Sequence, residues 1–65
     1  MQLELDSIEW SMMTYVASGL TDEEIGRALG ITEDKAASTI CELMNRLGLA
    51  DRFQVTLFVY SHWRA

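Results

Sequence analysis

At four places in this chain an Asp or Thr stands just before an apolar-periodic segment, and at three of them an acceptor side chain follows three residues later: Asp6 with Glu9, Thr21 with Glu24, and Asp51 with Gln54. The first member of such a pair accepts from an orphan amide of the opening helical turn, and the second returns the bond to the capping residue. These three read as complete capping boxes. Thr32 is followed by Lys35, which returns nothing, so that segment keeps an N-cap without a box. Gly19, Gly30 and Gly48 each follow an apolar periodic segment, where glycine takes the left-handed conformation that ends a helix. Proline is absent. The pattern predicts an all-α fold of four helices, at about 7–18, 22–29, 33–47 and 52–63.

With 65 residues there is room for a single domain over 1–65, near the lower limit at which a chain buries a sufficient core unaided. The usual supplements are a disulfide, a metal or self-association. A single Cys41 forms no internal bridge, and one His62 without CxxC or HxxxH spacing suggests no metal site and no cofactor. No apolar run approaches the roughly 18 residues of a membrane span, and the N-terminus lacks the basic and apolar regions of a signal peptide. The expectation is a soluble, reduced, cytoplasmic protein. Catalysis is not expected. Cys41 and His62 fall on different helices with no orienting third group, and Ser38 has no base nearby.

The second and third helices are separated only by Gly30, Ile31 and Thr32, a link that suits a helix-turn-helix over about 22–47. In the third helix Ala36, Ile40, Leu43, Met44 and Leu47 form one inward stripe, leaving Asp34, Lys35, Ala37, Ser38, Cys41, Glu42 and Asn45 facing out. From Leu5 to about Val55 the chain resembles a LuxR-type (GerE-like) helix-turn-helix domain. The resemblance is carried by Gly19, Leu20, Thr21, Glu24, Ile25, Gly26, Leu29, Ile31 and Thr32, then by Leu47, Gly48, Leu49 and Arg52, with Glu9 matching the glutamate of the family's first helix. It implies a DNA-binding transcriptional regulator that reads the major groove with helix 33–47.

The departures fall where such domains touch DNA. The place of the usual phosphate-binding lysine holds Ala37, and that of a histidine holds Thr39. Lys35, on the exposed face, is available to compensate as a point charge. Arg46 matches the basic residue near the end of the helix, and Thr21 can offer a backbone contact. The expected DNA contacts are therefore Thr21, Lys35, Ser38, Thr39 and Arg46. Residues 1–32 carry a net charge of −5 and residues 33–65 a net charge of 0, far less basic than most DNA-binding modules. A lone copy should bind DNA weakly. Glu33 and Asp34 lead the third helix, where carboxylates interact favourably with the macrodipole by roughly 0.3–1 kcal/mol each; the alternative is acceptance from a cytosine amino group, or a helix turned away from DNA.

In the last helix Val55, Phe58, Val59 and His62 form a stripe that can close the core, while Phe53, Leu57 and Tyr60 form a second, with Trp63 near the end. The resemblance implies a homodimer through this helix, 52–63, by way of Leu57, Tyr60 and Trp63. Ile8 and Trp10 stand at places that are commonly charged or polar in the family. Trp10 serves either a partner surface or packing against the fourth helix. Two functional expectations follow: a DNA-binding regulator, or a protein-interaction regulator of antiactivator type that engages another transcriptional regulator through its acidic and apolar surfaces.

Overall fold

Local capping chemistry sets the helix limits in the computed structural model, which describes residues 5–63, with side chains as far as His62. The chain forms α1 (Ser7–Ala17), α2 (Asp22–Leu29), α3 (Glu33–Leu47) and α4 (Arg52–Trp63). Asp6 and Glu9 exchange bonds of 2.8 and 3.0 Å at the start of α1, and Thr21 and Glu24 do the same at the start of α2. Thr32 accepts from the Lys35 amide and caps α3 alone. The third expected box is incomplete. The Gln54 amide donates to Asp51, but the Gln54 side chain accepts from the Ala50 amide at 2.7 Å instead of returning to Asp51. The chain leaves the Gly48 turn with the Ala50 amide aimed at the first turn of α4, and that donor takes the acceptor.

The link between α2 and α3 is tight for two reasons. Gly30 is left-handed, with φ 73°, which allows the turn to follow α2 directly. Gly26 is buried, and a Cβ placed on it would lie 2.7 Å from the Ile31 carbonyl oxygen. The absence of a side chain there lets the turn fold down onto α2, and the Ile31 amide bonds back to the Gly26 carbonyl at 2.9 Å.

The core takes Met12, Met13 and Val16 from α1, Ile25 from α2, Ala36, Ile40 and Leu43 from α3, and Val55 and Val59 from α4. Each large apolar side chain so buried contributes about 1.5–3 kcal/mol relative to exposure. Among the described residues no polar side chain is buried. α4 lies along α1, and α2 lies against α3, with α1 joining the two pairs. α1 and α4 run antiparallel: Trp10 meets Phe58 and His62, while Arg52 reaches back to the Leu20 carbonyl just beyond α1. His62, expected in the inward stripe, is exposed; its Nδ1 donates to the Phe58 carbonyl and its ring lies against Phe58.

Candidate nucleic-acid interface

α3 is held by its inward residues Ala36, Ile40 and Leu43, and this orientation decides what its other faces present. Lys35 and Ser38 are exposed, and the Ser38 hydroxyl donates to the Lys35 carbonyl at 3.4 Å. Thr39 is half-buried, on a flank of the helix. Glu33 and Asp34 are exposed in the first turn, and neither joins an ion pair among the described residues.

Ala37 does not face freely outward as its place in the sequence suggested. It is half-buried, as one wall of an open groove between α3 and the α3–α4 loop. Two residues of an α-helix correspond to about 200° of rotation, so Lys35 and Ala37 look to different sides of α3. A phosphate bound by Lys35 is therefore not the one a side chain at position 37 would reach.

Arg46 is not idle either. Its guanidinium lies 3.1 Å from the Glu9 carboxylate, across 37 residues of chain, with the Arg46 side chain 52% exposed. The Glu9 side chain is only 22% exposed, so a phosphate that reaches Arg46 has to displace a half-buried carboxylate from it. Thr21 has committed its amide to Glu24 at 2.8 Å, and a phosphate contact from this backbone has to compete with the cap. The Thr21 amide, and then its hydroxyl, hold the Glu24 carboxyl below the usual carboxylate range.

Dividing the charge by sequence halves conceals its arrangement in space. Asp22, Glu23 and Glu24 open α2, which packs on α3. The unit from Thr21 to Leu47 holds six acidic residues against Arg27, Lys35 and Arg46, a net charge of −3. Arg27 is itself paired with Glu23 at 3.4 Å. Arg52, outside the unit, pairs with Asp22 and donates to the Leu20 carbonyl, fastening the start of α4 to the α1–α2 connection.

The expected partner residues divide. Leu57 and Tyr60 are 53% and 57% exposed, and Phe53 is 70% exposed. Spaced i, i+4 and i+7, they form one apolar face of α4 opposite the buried Val55 and Val59. Trp10 is half-buried, stacked on Phe58 with ring centroids 5.8 Å apart and planes 14° from parallel; at least one of its faces is taken up inside the domain. The side chain of Trp63 lies outside the described residues. Ile8, on α1, is a further apolar side chain at the surface, 62% exposed.

Among the described residues no cluster of three or more His, Cys, Asp or Glu is placed to hold a metal ion, and no helix is long and apolar enough to cross a membrane. Comparison with known proteins finds one family model, that of the bacterial regulatory proteins of the luxR family, matching residues 5–59. No curated protein and no solved structure gives a significant match. The match spans all but the end of α4 and takes in the α2–turn–α3 unit whole. The chain belongs to the luxR family of bacterial regulatory proteins, as a helix-turn-helix domain of the DNA-binding regulator class.

Proposed function

We propose that the protein is a transcriptional regulator that binds DNA in the cytoplasm as a homodimer, presenting α3 to the major groove with Lys35, Ser38, Thr39 and Arg46 as its contacts and Thr21 at the start of α2 beside the backbone. The observation that carries this reading is the preserved α2–turn–α3 geometry, with Lys35 and Ser38 exposed on α3. Only two basic side chains lie on α3, so one protomer holds few phosphates. Joining two copies through Phe53, Leu57 and Tyr60 doubles the contact set. Three exposed side chains are few beside the roughly 20–30 residues a side of a standard interface, so self-association is concentration-dependent.

The test is the binding of random and selected duplexes, followed by fluorescence anisotropy at low and moderate salt. Binding that weakens steeply with salt is the expected result. The second reading is a protein-interaction regulator that engages another transcriptional regulator, favoured by the net charge of −3 on the helix-turn-helix unit and by the Arg46–Glu9 pair. An absence of duplex binding even at low salt would remove the first reading in favour of this one.

A further inference from the structure

The groove beside α3 is apolar along its walls, with Asp51 and Arg52 together at one end. Ala37, Ile40, Cys41 and Met44 form the α3 side, and Leu49 and Ala50 of the loop face them, enclosing about 380 Å³. Ligand pockets span about 300–1,000 Å³ and orient their contents with a few placed polar groups. This groove is open, and its polar residues Asn45, Asp51 and Arg52 are all exposed at the rim. It therefore offers apolar contact without the fixed donors a small metabolite needs.

The charges at the rim determine what fits. The cation at one end, Arg52, is already engaged by Asp22 and by the Leu20 carbonyl. Asp51 stands beside it. Glu33 and Asp34 lie outside the lining, one turn before Ala37 on α3: they precede it by four and three residues, the spacing that puts side chains on adjoining parts of one helix face. Both are exposed and unpaired among the described residues. A second copy would offer its α4 face of Phe53, Leu57 and Tyr60, and residues 53–60 hold no Lys or Arg to meet these carboxylates. A phosphate would meet an apolar wall between them.

We propose that this groove docks a basic amphipathic helix of a partner protein, whose apolar anchors enter between α3 and the loop while its Lys and Arg side chains meet Glu33, Asp34 and Asp51. The groove residues Ala37, Cys41 and Asn45 are not themselves the proposed DNA contacts, but a helix seated against them stands alongside the face of α3 offered to the major groove, so an occupant and duplex DNA exclude each other by bulk; only this consequence rests on the DNA-binding reading.

The probe is a short helical peptide of leucine and lysine with leucines at i, i+3, i+4 and i+7, compared with its leucine–glutamate counterpart. Binding is followed by anisotropy of the labelled peptide and by methyl chemical shifts. The lysine peptide should bind and shift Ala37, Met44 and Leu49, and the glutamate peptide should not bind. Ala37→Glu is the decisive variant, because it fills the groove while adding negative charge. Its affinity should fall about tenfold or more, whereas attraction to net charge alone would leave it equal or tighter. Cys41→Glu, at an exposed position, provides the same contrast if Ala37→Glu fails to fold by circular dichroism. Ala28→Glu, exposed on α2 and outside the groove lining, should bind as the parent does. No binding of the lysine peptide, undiminished binding by the groove variants, or methyl shifts centred on Leu57 would each overturn the proposal. Competition with a labelled duplex is read separately, so a failure to bind DNA leaves the peptide result standing.

Discussion

Gly26 and Glu24 show how much of this domain rests on single residues in α2. Gly26→Ala adds a methyl group whose nearest neighbours are backbone atoms of Ile31 and Thr32. Alanine's better helix propensity returns about 1 kcal/mol, but moving the turn that sets the α2–α3 angle costs about 1–3 kcal/mol. Net destabilisation is expected, with a thermal midpoint lower by several degrees, read by circular dichroism. Glu24 links the same helix to pH. Its folded pKa is lowered, chiefly by the Thr21 amide, so its contribution to stability is present above the ordinary carboxylate pKa of 4.5 and is lost as pH falls through the lowered folded value. Glu24→Gln keeps an acceptor at the box position and removes the titration. The acid limb of the stability profile should flatten in this variant, as measured by chemical denaturation between neutral and acidic pH.

At the scale of the element, α4 has two apolar faces with different duties. Val55 and Val59 close the core on α1, and Phe53, Leu57 and Tyr60 look outward. Replacing Leu57 and Tyr60 together by glutamate should leave the far-ultraviolet spectrum unchanged, since both are more than half exposed, and should yield a monomer by sedimentation velocity at concentrations where the parent associates. A parent that stays monomeric at high micromolar concentration would remove the dimer from the proposal. The periodicity of α4 made both faces legible in the sequence. Packing of Trp10 on α4 was one of the two readings open in the sequence; that it stacks on Phe58 depends on the antiparallel register of α1 and α4, which neither helix encodes alone.

For the whole molecule the decisive quantity is charge on the helix-turn-helix unit. Ala37→Lys adds one cation at the wall of the groove, and its long stem can carry the ammonium clear of the apolar surface. Its affinity for random duplex should rise, and the slope of log affinity against log salt should steepen by about one per protomer. Glu33→Ala with Asp34→Ala should also strengthen nonspecific binding, at a stability cost of roughly 0.3–1 kcal/mol per carboxylate from the lost dipole interaction. Both are measured by anisotropy across a salt series. If Ala37→Lys creates binding that the parent lacks at every salt concentration, the parent is not a DNA-binding regulator, and charge alone separates it from one.

The helix limits and the α2–turn–α3 unit were readable in the sequence because capping and left-handed glycine act over three or four residues. Thr21 with Glu24, Thr32 with the Lys35 amide, and Gly30 need no knowledge of what lies elsewhere. The inward stripe of α3 was readable for a similar reason, since a period of 3.6 residues marks the face that Ala36, Ile40 and Leu43 bury. Interactions between helices were decided only by the tertiary structure. Arg46 meets Glu9, Arg52 meets Asp22, and Ala37 becomes the wall of a groove because a loop twelve to fourteen residues later in the chain lies opposite it. A sequence pattern states which face of a helix is apolar, but which neighbour covers that face, and which charges are thereby brought together, follows from packing four helices around one core.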